Sequence, residues 1–155
     1  MQNARWEILA FNRAYDGLIG LNSVPDADRN ALLLYFTDPA RRRRWLEWEA
    51  NAPSLVSQFR AAMARHVTEP EWQQLLGRLR RASPDFDRLW RQHHVGVSTS
   101  TPKRFRHPVL GLLHLTRFHL WAEPREDGLP AVGYTPADAA TAVRIRRLPA
   151  LSTME

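Results

Sequence analysis

The sequence predicts an α+β domain in which several amphipathic helices cover a small antiparallel sheet. Three observations carry this. Ahead of the hairpin the residues of one face recur with helical spacing, as in Phe86, Leu89, Trp90 and His93 at i, i+3, i+4 and i+7. The period then changes to two: in KRFRHPVLG, Phe105, His107 and Val109 point one way while Arg104 and Arg106 point the other. Gly111 allows a turn or bulge, and LLHLTRFHLW reads as a second, longer strand. A helix feeding a hairpin is therefore the central unit.

The elements follow in order. RWEILAFN, residues 5–12, alternates as a strand, with Trp6, Ile8 and Ala10 opposed to Leu9 and Phe11. Asn12 caps a short helix carrying Ala14, Tyr15, Leu18 and Ile19, which Gly20 ends. After the loop LNSVPDAD a short apolar helix runs to about Phe36. Asp38 and Pro39 then cap and start the helix RRRRWLEWEANA, in which Trp45 and Trp48 share a face. PSLVSQFRAAMARHV is a further helix, with Leu55, Val56, Phe59, Ala62, Met63, His66 and Val67 at helical spacing. EPEWQQLLGRLRR follows, Thr68 and Glu71 standing at capping-box distance and Pro70 in the first turn. Ser83, Pro84 and Asp85 are cap, first residue and dipole-compensating acid of the helix before the hairpin. EPREDGLP is a polar turn, PAVGYTP a short strand through Val132 and Tyr134, and Thr135 and Pro136 open a last helix with Asp138 in its first turn. The tail LPALSTME is expected to fray.

Composition narrows the class. A chain of 155 residues suits one domain, and 44% apolar with 25% charged residues is ordinary for a globular protein. There is no cysteine, which excludes disulfide and thiolate chemistry and is compatible with a reducing cytoplasm, the expected location. No run is long and apolar enough for a signal peptide or a membrane span. The net charge of +6 comes mostly from arginine. Four consecutive arginines, Arg41 to Arg44, turn about 100° from one to the next on a helix and cannot all face one phosphate track.

Metal and catalytic readings find little. His93 and His94 are adjacent and diverge, and His114 and His119, at odd spacing, lie on opposite faces of a strand. No paired-ligand spacing points to a metal, and no cofactor is expected. The polar run 98–101 lacks a nucleophile elbow, Asp85 and Asp87 diverge on their helix, and no glycine-rich phosphate loop is present, so no enzyme is expected.

SPDFDRLW, the following RQHHV, and KRFRHPVLGLLHL together resemble the ligand-binding domain of MmyB-like transcription regulators. Asn30 with Phe36, Asp38 and Pro39, and the later YTPAD, extend the resemblance over most of the chain. It implies a PAS-like sensor domain, a small sheet covered by an inserted group of helices, spanning 1–149 with a tail at 150–155. In that family the domain follows a helix-turn-helix DNA-binding domain of the XRE type. That portion is missing here, and DNA would be contacted only through it. Two departures stand out: His94 replaces an acidic residue, and Arg117 and His119 occupy apolar positions of the second strand, making one end of a pocket more polar or leaving that edge exposed.

The resemblance also implies a small apolar or fatty-acid-like ligand held between sheet and helices. The residues expected around it are Trp45, Phe59, Met63, Trp90, Phe105, His107 and Leu115, with His107 favoured over Arg104 for the head group because Arg104 faces away. Packing of His107 against the Pro108 turn is the competing reading of that side chain. Two other functions compete with the sensor: nucleic-acid binding through Arg41 to Arg44, Arg78, Arg80, Arg81, Arg104 and Arg106, and a homodimerisation module using exposed Trp and Leu side chains.

Overall fold

The computed structural model describes residues 1–92, 102–120 and 131–151. The helices are α1 (Arg13–Ile19), α2 (Ala31–Thr37), α3 (Pro39–Arg44), α4 (Trp48–Met63), α5 (Pro70–Ala82) and α6 (Pro84–Arg91), then α7 (Ala139–Ile145) and α8 (Leu148–Leu151) after the sheet. The strands β1 (Lys103–His107), β2 (Gly111–Leu120) and β3 (Ala131–Pro136) form one antiparallel sheet in that order. The molecule is α+β, as the two periodicities require.

Local chemistry sets most helix starts. Asn12, Asn30, Asp38 and Ser83 each accept amide hydrogen bonds from the first turn of the helix they precede, and Pro follows directly after Asp38 and Ser83. Gly20 ends α1 in the left-handed region at φ 73°. Gly111, at φ 74°, closes the hairpin where it pairs with His107.

Two cores result. One lies among α2, α4, α5 and α6 and contains Phe36, Trp48, Phe59, Trp72 and Phe86. The other lies between the sheet and α1 with α8, and contains Leu18, Leu21, Phe105, Leu113, Leu115 and Leu148. Trp45 packs against both.

Several expectations need correction. Residues 5–12 are not a strand: they make isolated bridges, Gln2 with Ile8 and Glu7 with Asn30. Trp6 sits at φ 67°, and the Asn3 side chain accepts from the amides of Arg5 and Glu7 at 3.0 Å, which interrupts the alternation. The arginine helix stops at Trp45, which turns extended to bridge Phe105, while the Leu46 amide donates to the Arg104 carbonyl at 3.1 Å. Trp45 and Trp48 therefore share no helix face. The next helix begins at Trp48, five residues ahead of Pro53, which it carries inside. Thr68 does not cap α5, since Glu69 holds the N-cap position with no side-chain bond, and Asp138 is the cap of α7 rather than a first-turn residue. The start of the tail is helical: Leu148 is buried against α1. His93, His94, the polar run 98–101, Trp121 and the turn 123–130 lie outside the described residues.

Candidate functional site

A cavity of about 320 Å³ opens where the two cores meet. Its walls come from the N-terminal arm, α1, α2, Arg41 of α3 with Trp45 just after it, α4 and the sheet. The N-terminal arm contributes Gln2, Trp6 and Ile8; α1 contributes Tyr15 and Ile19; α2 contributes Leu34 and Tyr35. From α4 come Asn51, Ser54, Leu55 and Gln58, spaced i, i+3, i+4 and i+7. The opposite stripe of that helix, Trp48, Ala52, Val56, Phe59 and Met63, is buried in the helical core. The sheet contributes Lys103, Arg117, His119 and Tyr134.

Strand alternation explains the polar end. Leu113, Leu115, Arg117 and His119 project from one face of β2. The two leucines fill the sheet core, and the next two positions reach the cavity. Arg117 pairs directly across the sheet with Tyr134.

The polar groups of the wall differ in how far they are already engaged. Arg41 forms an ion pair with Asp38 and donates to the carbonyls of Ile19 at 3.1 Å and Gly20 at 2.8 Å. Lys103 Nζ donates to Asn51 Oδ1 at 2.7 Å. The Tyr35 hydroxyl donates to the Trp48 carbonyl at 3.2 Å. Gln58 Nε2 donates to Ser54 Oγ at 3.2 Å, so this serine is not seated against a base. The Arg117 guanidinium lies 5.7 Å from the Trp6 ring centre, and its Nε is buried without a hydrogen-bond partner among the described residues. Burial pushes the Tyr15 and Tyr134 hydroxyls well above the usual tyrosine range, so both stay protonated.

Of the seven residues expected around the ligand, Trp45 lines the cavity, its ring edge-on to Phe105 at 4.7 Å and 6.1 Å from Tyr134. The other six are placed elsewhere. Phe59 is 0% exposed and packs on Trp72 and Phe86, with Trp90 and Met63 beside it. Phe105 and Leu115 are buried in the sheet core. His107 Nε2 donates to the Gly17 carbonyl at 2.9 Å, and its Nδ1 accepts from the amides of Val109 and Leu110 at 3.2 and 3.1 Å. The ring thus braces the Pro108 turn and ties it to α1. What the sequence reading missed is the α4 stripe, whose polar residues look like a solvent face. The detectable signal was its helical spacing, shared with Leu55.

The arginines of the nucleic-acid reading are dispersed and largely paired. Arg42 pairs with Asp85 and lies 3.6 Å over the Trp48 ring, Arg78 pairs with Asp28, Arg80 with Asp87, and Arg104 with Glu47. Arg43 points to solvent. None of the five described tryptophans is exposed, so a dimer face among the described residues would rest on Leu and Val side chains. Among the described residues no group of three or more His, Asp or Glu could hold a metal ion, and no helix is long and apolar enough to cross a membrane.

A small sheet, a helical layer and an internal cavity of ligand size define a small-molecule-binding domain. The comparison with family models makes this specific. The chain belongs to the MmyB-like transcription regulator ligand binding domain family, whose model matches residues 1–148. A comparison with curated proteins found no match.

Proposed function

We propose that this domain is the sensor of a transcription regulator working in the cytoplasm, and that a small, largely apolar, fatty-acid-like molecule occupies the cavity between its two cores. The observation that carries this reading is the position of Trp45. It lines the cavity, packs against both cores and interrupts the chain between α3 and α4. A guest that presses on Trp45 biases the packing of the helical layer against the sheet. That bias is the signal handed to a DNA-binding domain, in proportion to the ligand's preference for one packing over the other. The cavity binds rather than catalyses: its serine is engaged by a glutamine, and Arg41 and Lys103 are engaged by Asp38 and Asn51.

Native mass spectrometry and organic extraction of the purified protein test this. A co-purifying amphipathic molecule, or a rise in melting temperature with short- to medium-chain fatty acids, is the expected result. A ligand at a hundred times its Kd would stabilise the fold by about 2.7 kcal/mol. A protein that stays empty and shows no shift with any apolar small molecule would overturn the reading.

A further inference from the structure

The Nε of Arg117 is buried, charged and without a partner among the described residues. Such a group is costly unless something supplies an acceptor. Its cross-strand partner carries no negative charge to balance it. Tyr134 stands directly opposite on β3, and the Tyr134 ring stacks on Tyr15 at 6.0 Å with 14° between the planes. Burial keeps both hydroxyls neutral, the Arg117 charge opposes that shift at each of them, and all three side chains line the same cavity. The other cations of the wall have acceptors already: Asp38 and two carbonyls for Arg41, Asn51 for Lys103.

We propose that Arg117, with the hydroxyls of Tyr15 and Tyr134, receives the acid group of the ligand, so that the cavity selects an amphipathic monocarboxylate over its neutral counterpart. The proposal rests on ligand binding in this cavity. A carboxylate supplies the negative charge that a guanidinium and two neutral phenols lack and can accept hydrogen bonds from all three, and a charged pair of this kind in a shielded site is strong. The guanidinium lies over the Trp6 ring, 5.7 Å from its centre, and Trp6 has a backbone φ of 67°, an unusual conformation for a tryptophan. The rest of the guest meets Trp45, Leu34 and Leu55. A volume of about 320 Å³ lies at the small end of the range for small-molecule sites.

Calorimetric titration with two matched pairs at pH 7.5 tests the assignment: octanoate against 1-octanol, and 3-phenylpropanoate against 3-phenylpropanol. Each acid is expected to bind at least about tenfold more tightly than its alcohol. Arg117→Met is expected to bring the acids to the level of the alcohols, with Arg117→Lys in between. Tyr134→Phe, which keeps the ring, should weaken only the acids, by about threefold to tenfold, and serves if the arginine variant does not fold. The stronger of the two acids tells whether the guest is lipid-like or aromatic. Equal binding of acid and alcohol, or a preference that survives Arg117→Met, overturns the acid-group assignment and leaves the sensor reading standing. Failure of all four compounds to bind at millimolar concentration removes both.

Discussion

The partners of His107 demand one protonation state. Nδ1 accepts from two amides, so the proton must sit on Nε2, where it meets the Gly17 carbonyl. Replacing the ring by Phe keeps the bulk, strands those three backbone groups and should cost about 2–4 kcal/mol in urea unfolding. Burial holds the His107 pKa below its ordinary value, the Gly17 carbonyl opposing and Arg44 adding to the depression. The folded state therefore takes up its proton at lower pH than the unfolded chain, whose histidine titrates near about 6.5. Stability from this group is complete above that pH and declines as pH falls through it toward the folded value, by at most about 1.4 kcal/mol per pH unit. His119, held down by burial and then by Arg117, falls in the same window. Unfolding midpoints of the wild type and His107→Gln between pH 7.5 and 5.5 separate the two: the variant should keep only the part of the decline due to His119.

Close backbone approaches set how the elements meet. A Cβ on Gly17 would lie 2.1 Å from the Leu148 carbonyl oxygen, a backbone atom that cannot swing aside. Gly17→Ala should force α8 off α1 and destabilise the fold by about 1–3 kcal/mol, read by thermal or urea melts. A Cβ on Gly133 would meet the Phe118 ring at 2.2 Å, where β2 and β3 pair these two residues. Gly133→Ala should cost a similar amount unless the ring swings away, and the Phe118→Ala, Gly133→Ala double variant should show less than the sum of the two single costs. The turn at Trp45 belongs to this scale too. An uninterrupted helix would carry Trp45 along the surface, whereas its extended backbone brings the indole to Phe105 and Tyr134.

For the molecule as a whole the decisive quantity is the space left between two cores. Leu55 faces it from α4, so Leu55→Trp should fill it, abolish the ligand-induced rise in melting temperature and change the unliganded stability by less than about 1.5 kcal/mol. An Arg-rich chain with a net charge of +6 also invites a nucleic-acid test. Because Arg42, Arg78, Arg80 and Arg104 already face carboxylates on different parts of the surface, the domain should fail to retard oligonucleotides even at about 50 mM salt.

Much of this architecture was readable from the chain itself, because it depends on neighbours within a few residues. The Asn12, Asp38 and Ser83 caps, the Gly20 stop, the Phe105–His107 alternation and the Gly111 turn are local choices of backbone, and the helical and two-residue periods give the α+β class directly. The polar end of the inner strand face, Arg117 and His119, could be read in the same way. Long-range contact decided the rest. Trp45 leaves its helix for a strand distant in sequence, Trp6 adopts its backbone against residues 29–31, and the α4 stripe is lining rather than surface because the sheet happens to face it. An aromatic residue carries the same pattern whether it fills a core or borders a void. Only the meeting of two separately packed layers determines which rings interlock and which are left with open space beside them.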